Sequence, residues 1–129
     1  MKNKSVTTFL FLICLSLVVF QCEDEITQED DKAELDTLKF EIEDLANTSI
    51  CNEETECKYI GFGSKPCGGP SSYLIYSTSI DTDKLEKLVL NYNQKHTDFN
   101  TKWGIISDCS VVNPPTSINC VNNSCIAVY

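Results

Sequence analysis

Six cysteines spread between residues 51 and 125 constrain the fold of this chain more than any other feature. They are Cys51, Cys57, Cys67, Cys109, Cys120 and Cys125. An even number of cysteines in a small exported chain predicts a disulfide framework, here of three bridges. Such bridges stabilise a domain by restricting its unfolded state. Among the many pairings that six cysteines allow, we expect Cys67–Cys109, Cys51–Cys57 and Cys120–Cys125.

Metal binding is the alternative role for several cysteines in one chain. Zinc ligands usually occur in closely spaced pairs such as C-x-x-C, often with histidines. The chain has no C-x-x-C pair and a single histidine, His96. The acidic runs NEETE and DTD offer oxygen ligands, but neither belongs to an EF-hand loop with its glycine. We therefore expect no metal and no other cofactor.

The N-terminus predicts export. Lys2 and Lys4 precede the apolar run FLFLICLSLVVF, which has the charge and length of a secretory signal and is short for a membrane span. Cys22 follows this run directly and is followed by EDE. That junction resembles the processing site of bacterial lipoproteins, which implies removal of residues 1–21, with Cys14 among them, and a palmitate-type lipid on Cys22. Soluble secretion or a periplasmic location is the alternative.

The segment after Cys22 is strongly acidic. EDEITQEDD resembles the export tag of lipoproteins in Bacteroidetes-type bacteria, which implies the outer membrane and exposure at the cell surface. We interpret residues 22–30 as a flexible tether and residues 31–129 as a single domain. The formal net charge is −9 and there is no arginine, which argues against nucleic acid or anionic lipid as a partner. In a eukaryotic chain, Asn47 and Asn122 would instead be glycosylation candidates.

Two helices follow from the apolar periodicity. One is predicted over residues 31–46, with a stripe formed by Leu35, Leu38, Ile42 and Leu45. The other is predicted to open at Asp81–Asp83, where acidic side chains suit a helix N-terminus, and to fray near Asn100. Its buried side comprises Leu85, Leu88, Val89, Tyr92, His96 and Phe99. His96 is expected to be a packed, hydrogen-bonded histidine rather than a catalytic one.

Strands are predicted between and after these helices. CKYIGF, SYLIYS and GIISDCSVV are rich in β-branched or aromatic residues. SINCVNNSCIAVY predicts a hairpin that turns at Asn122 and Asn123 and places Cys120 opposite Cys125. We expect an α+β fold of order α-β-β-α-β-β, with two helices packed on an antiparallel sheet of about four strands.

The segment KPCGGP lies in the loop between the first two strands. Its glycines permit backbone conformations that a Cβ atom would hinder, and Pro70 favours an extended entry into the next strand. The lysine precedes the glycines and a strand follows them, unlike a phosphate-binding loop. We interpret the segment as a disulfide-pinned turn and the whole loop as a candidate binding loop. Its candidate residues are Gly61, Phe62, Lys65, Pro66, Gly68, Gly69 and Pro70.

Several of these motifs occur in a recognisable order. CKYIGFGSKPCGGP, YLIYS, a helix, SDC and a closing C-x4-C resemble a small family of exported, cysteine-rich lipoproteins from Bacteroidetes-type bacteria. No activity is assigned to that family. The resemblance therefore implies a shared fold without implying a reaction or a ligand.

Three functional hypotheses remain. The first is a membrane-anchored binding module that recognises a protein or another macromolecule through its stiff loops. The second is an inhibitor of a hydrolase, either a protease or a lysozyme, that acts through Gly61–Pro70. Lys65 precedes Pro66, which argues against docking like a trypsin substrate. The third and least favoured is an enzyme with a carboxylate pair, because no Cys-His or Ser-His-Asp set is recognisable; we expect a non-enzyme.

Overall fold

The structure is a computed structural model and describes residues 25–129. The predicted signal of residues 1–21 and the predicted lipidation site Cys22 lie outside the described residues. No helix between residues 25 and 129 is long and apolar enough to cross a membrane.

The first helix, α1, spans Gln28–Asn47. It starts inside the segment that we interpreted as a tether, because a capping box stabilises its first turn. The side chain of Thr27 accepts a hydrogen bond from the backbone N of Asp30 (3.2 Å), and the Asp30 carboxylate accepts one from the Thr27 N (2.9 Å). The predicted apolar stripe faces inward, with Leu35 and Ile42 buried.

The second helix, α2, spans Thr82–Lys102. The predicted N-cap is confirmed, since the Asp81 side chain accepts a hydrogen bond from the backbone N of Lys84 (2.9 Å). The helix continues past Asn100, where we expected it to fray, and ends with Trp103 as its C-cap. The predicted stripe again faces inward, with Leu85, Val89 and Tyr92 buried.

The four strands form two antiparallel hairpins. β1 (Cys57–Phe62) pairs with β2 (Ser72–Ser77), and β3 (Ser117–Val121) pairs with β4 (Ser124–Val128). Asn122 and Asn123 form the second turn with φ of 50° and 63°, as a two-residue hairpin turn requires. The predicted α+β class and element order are confirmed, with the strands divided between two two-stranded sheets.

The core lies where both helices meet the β1–β2 hairpin. Its buried members are Leu35, Ile42, Ala46, Phe62, Tyr76, Leu85, Val89 and Tyr92. Burying one large apolar side chain contributes roughly 1.5–3 kcal/mol. The Tyr76 hydroxyl donates to the Glu86 carboxylate (2.9 Å), and burial together with this acceptor raises the pKa of Tyr76 to about 12. The hydroxyl therefore stays protonated and keeps its hydrogen bond.

The strand predicted for GIISDCSVV is wrong. Residues 104–112 contain no strand, and both Gly104 and Cys109 have positive φ, of 60° and 54°. Left-handed backbone at two positions interrupts the extended conformation that a strand needs. The segment instead runs along the surface with Ile106 and Val111 exposed.

Residues 25–129 contain three disulfides, and one of the three expected pairings is among them. Cys67–Cys109 is confirmed, with a Cα–Cα distance of 5.5 Å. The expected Cys51–Cys57 and Cys120–Cys125 pairings are wrong, because the bridges are Cys51–Cys120 and Cys57–Cys125. The expectation relied on closeness along the chain and across one hairpin. Tertiary packing instead places the β3–β4 hairpin against the two earlier cysteines.

Candidate functional site

The predicted binding loop, Gly61–Pro70, contains a tight turn closed by its own backbone. The Gly68 N donates to the Lys65 carbonyl (2.9 Å), and the Lys65 N donates to the Gly69 carbonyl (3.0 Å). Gly68 and Gly69 have φ of 93° and 82°, a conformation that side-chain-bearing residues rarely adopt. The predicted turn is thus present, and its two glycines are conformationally required.

The first half of the loop is attached to α2 by asparagine side chains. The Asn93 amide donates to the Gly61 carbonyl (2.9 Å), while its oxygen accepts from the Gly63 N (2.7 Å). About two turns further along the helix, the Asn100 amide donates to the Ser64 carbonyl (2.8 Å). Backbone groups that a surface loop would otherwise leave to water are therefore bound to a rigid helix.

His96 contributes a third attachment. Its Nδ1 accepts a hydrogen bond from the Ser64 N (3.1 Å), and its ring lies 5.6 Å from that of Tyr92. Burial lowers the pKa of His96, and the positive charge of Lys39 lowers it further. The neutral imidazole can accept the bond from Ser64, so His96 is packed and hydrogen-bonded in the way its position predicted.

Lys65 attaches the loop to the segment of residues 104–112. Its ammonium donates to the carbonyl and the hydroxyl of Ser110 (2.6 and 2.9 Å) and lies 3.6 Å from the Asp108 carboxylate. Hydrogen bonds from Ser110, together with the nearby Lys65, lower the pKa of Asp108. The Lys65 side chain is only 16% exposed, so its charge is satisfied within the domain.

The Cys67–Cys109 bridge joins the same two segments covalently. Cys109 has a left-handed backbone, and its N donates to the Ser107 hydroxyl (3.1 Å). One disulfide and one lysine therefore hold the turn and the later segment together. We call the exposed residues of these two joined segments the two-loop surface; they are Pro66, Gly68, Gly69, Ile106 and Val111.

Two apolar side chains on the two-loop surface face solvent almost completely. Ile106 is 91% exposed and Val111 is 85% exposed. A depression of about 260 Å³ lies between Pro66, Thr101 and Ile105. Exposed apolar patches mark contact surfaces when they are contiguous, and these two side chains are the most exposed of the large apolar residues that the structure describes. The arrangement can bind another macromolecule by contact, without any chemical step.

The candidate loop residues thus divide into two groups. Phe62 belongs to the core and stacks on Tyr92 with ring centroids 4.7 Å apart, so it is not part of a binding surface. Gly61 and Lys65 hold the loop in place, whereas Pro66, Gly68 and Gly69 are exposed and Pro70 is half-buried. Sequence reasoning missed Ile106 and Val111, because their apolar character predicted a strand.

Carboxylates also gather in a groove of about 250 Å³ between α1 and α2. Lys95 binds Glu34 (2.7 Å) and Lys102 binds Asp31 (2.6 Å), while the Trp103 indole also donates to Asp31 (2.9 Å). Hydrogen bonds from Lys102 and Trp103 lower the pKa of Asp31. Both ion pairs join α1 to α2, so these groups connect the two helices.

Comparisons of this chain with protein-family models, with curated proteins and with solved structures gave no match.

Proposed function

We propose that the chain is an exported lipoprotein, anchored to the outer membrane through Cys22, whose domain binds a protein partner through the two-loop surface. The observation that carries the proposal is the exposure of Ile106 and Val111 on a segment held by Cys67–Cys109 and Lys65. A surface whose backbone is already ordered loses little conformational entropy on binding. That is the property expected of a recognition loop.

The proposed lipid anchor is supported by the N-terminal sequence and by the disulfides. Lys2, Lys4 and the following apolar run resemble a lipoprotein signal that ends at Cys22. Three disulfides suit the oxidising environment outside the cytoplasm. The family resemblance, to exported cysteine-rich lipoproteins of Bacteroidetes-type bacteria, supports the same location.

The partner's chemistry follows from the surface itself. Two branched aliphatic side chains require an apolar patch or pocket, since their burial supplies the main gain in free energy. The acidic charge of the chain favours a partner that is neutral or basic around that patch. Lys65 contributes no free charge because Ser110 and Asp108 engage it.

Site-specific photo-crosslinking on intact bacteria tests the binding surface. A benzophenone amino acid is placed at Ile106 of the full-length chain, and at Phe40 as the matched control. Phe40 is likewise exposed, at 70%, but lies on α1. We expect a discrete crosslinked adduct from position 106 only. The additional changes Val111→Asp and Pro66→Asp should reduce the yield of that adduct. Equal adducts from both positions, or none from position 106, would contradict the binding surface.

A separate measurement tests the anchor. Intact mass of the membrane fraction should show a diacyl or triacyl adduct on a chain that begins at Cys22, and Cys22→Ser should release the domain from the membrane. An unmodified chain, or a Cys22→Ser chain that stays membrane-bound, would refute the anchor while leaving the two-loop surface untouched.

Hydrolase inhibition is the second candidate, favoured by the disulfide-pinned loop. Lys65 is held inside the domain, so an inhibitor would use exposed Pro66, Gly68 or Gly69 instead. Purified domain is titrated against panels of proteases and lysozymes. Unchanged hydrolase activity across both panels would eliminate this candidate.

A further inference from the structure

Four cysteines from three separate segments meet in one place. They form the Cys51–Cys120 and Cys57–Cys125 disulfides. The sulfur atoms of Cys51, Cys57 and Cys125 all lie within 4.8 Å of one another. The fourth sulfur, of Cys120, lies outside that 4.8 Å group and is connected to it through its bond to the Cys51 sulfur. We call these four residues the cysteine cluster.

Hydrogen bonds place the backbone of the cysteine cluster independently of the disulfides. Cys120 and Cys125 face each other in the β3–β4 ladder, and Cys57 pairs with Ser77 in the β1–β2 ladder. The Cys51 N donates to the carbonyl of Asn123 in the hairpin turn (3.0 Å). The Cys51–Asn123 bond joins the β3–β4 hairpin to the rest of the domain, so this one attachment does not depend on the sulfurs.

We propose that the reduced cysteine cluster binds one thiophilic divalent cation of the zinc class through four thiolates. Tetrahedral zinc with Zn–S bonds of about 2.3 Å separates its sulfur ligands by about 3.8 Å. Sulfurs bonded in a disulfide are about 2.0 Å apart. Each bonded pair must therefore separate by about 1.8 Å to reach the zinc spacing, which side-chain rotation after reduction can supply. The lack of a C-x-x-C pair does not prevent this, because folding rather than spacing brings the ligands together.

The ligand number of the cluster suits a structural metal site. Cys51 is 1% exposed, Cys57 and Cys125 are half-buried, and Cys120 is exposed. Four thiolates would fill a tetrahedral coordination sphere and leave no open position for a reacting water, unlike a catalytic zinc site. The metal would therefore hold the β3–β4 hairpin on the domain, which is the task of the two disulfides in the oxidised chain.

The disulfide-bonded form and the metal-bound form exclude each other, because the same four sulfurs are used in both. Their interconversion is a balanced reduction. Two equivalents of a dithiol reductant supply four electrons and four protons to the two disulfides and are themselves oxidised to two disulfides, giving four protein thiols. Metal binding then releases the thiol protons to solvent as the thiolates coordinate. The competent state is thus the chain before oxidation, or after reduction.

Cobalt binding to the reduced full chain in detergent tests the proposal. The chain is reduced with a phosphine, which competes weakly for the metal, and titrated with Co²⁺. We expect one ion per chain, with the visible absorption of tetrahedral cobalt thiolate, and loss of this absorption when Zn²⁺ is added. No such absorption, whether or not the reduced chain stays folded, would overturn the proposal.

Matched variants locate the ligands. Cys57→Ser with Cys125→Ser should abolish the cobalt absorption, whereas Cys67→Ser with Cys109→Ser should preserve it, because that bridge lies outside the cluster. The reverse pattern, or equal effects of the two pairs, would refute the assignment. Zn²⁺ should also slow alkylation of the four cluster thiols at least tenfold without protecting Cys67 or Cys109, and uniform alkylation would contradict the proposal.

Discussion

Cys120 and Cys125 face each other across the β3–β4 ladder, yet each is bridged to a cysteine outside that hairpin. Opposed residues of an antiparallel pair project to the same side of the sheet. Both sulfurs therefore reach towards Cys51 and Cys57, and the two bridges attach the hairpin to the rest of the domain. A Cys120–Cys125 bond would have closed only the hairpin itself.

The disulfides are expected to differ in their contribution to stability. The bridged residues are 69 positions apart for Cys51–Cys120 and 42 for Cys67–Cys109, which changes the loop-entropy contribution by only about 0.4 kcal/mol. Burial should decide the order, since Cys51 is 1% exposed, whereas its partner Cys120 and both members of the Cys67–Cys109 pair are exposed. Removing the Cys51–Cys120 pair by alanine should cost more free energy of unfolding.

Urea denaturation of the two double-alanine variants measures this difference. Peptide mapping without reduction checks that the remaining two bridges keep their native pairing in each variant. A larger loss of stability from Cys67→Ala with Cys109→Ala would contradict the predicted order.

Lys65→Met should loosen the two-loop surface. The change removes hydrogen bonds from a mostly buried ammonium to Ser110, and bonds of this kind contribute about 1–2 kcal/mol. We expect that loss in the free energy of unfolding, with faster amide exchange at residues 107–110. Lys58→Met is the control, because Lys58 is 44% exposed and its closest carboxylate oxygen, on Glu56, is 3.9 Å away. Equal effects of both changes would argue against a positioning role for Lys65.

Gly63→Ala should be more harmful than Gly104→Ala. Both glycines have positive φ, 76° and 60°, so each alanine carries a backbone cost of about 1–2 kcal/mol. A Cβ atom at Gly63 would also lie 3.0 Å from Ser71 and 3.2 Å from the Nδ1 of His96, whereas none would be crowded at Gly104. Thermal unfolding should show the larger decrease for Gly63→Ala. Equal decreases would mean that the loop shifts to make room.

His96 should make the domain less stable as the pH falls. Its pKa is lowered in the folded chain from an ordinary value of 6.5, so the unfolded chain binds the proton first. The contribution of neutral His96 to the free energy of unfolding is then fully present above about pH 6.5. It is lost as the pH falls through the His96 pKa of the unfolded chain and then through that of the folded chain. NMR titration of the imidazole should give a pKa below 6.5.

His96→Gln provides the comparison for that pH dependence. The variant lacks a group that titrates in this window, so its thermal midpoint should change less between pH 7.5 and pH 5.5 than that of the wild type. A measured imidazole pKa at or above 6.5 would contradict the proposed burial effect.

Local pattern was sufficient for most of the secondary structure. The apolar stripes around Ile42 and Val89 identified both helices, and the Asn122–Asn123 turn set the register of the last hairpin. These features depend on residues a few positions apart, where periodicity and turn chemistry act directly. The early start of α1 was also encoded locally, in the Thr27–Asp30 capping box, but was overlooked.

The candidate site was only partly predictable. The glycines and Cys67 marked the turn, but its attachment to Asn93, His96 and Asn100 joins residues about thirty positions apart. Helix spacing puts those three side chains on one face, yet nothing along the chain shows what that face contacts. Phe62 could be assigned to the core only once the packing was known.

The sequence on its own determined four features: the element order, the buried faces of the helices, the register of the last hairpin and the pinned turn at Cys67. Each of them arises from interactions between residues that are close together along the chain. Tertiary structure alone decided the partners of Cys51 and Cys57, the internal use of Lys65 and the exposure of Ile106 and Val111. Those outcomes depend on how the hairpins and helices pack together. An apolar or charged residue has the same local pattern whether packing covers it or leaves it in solvent.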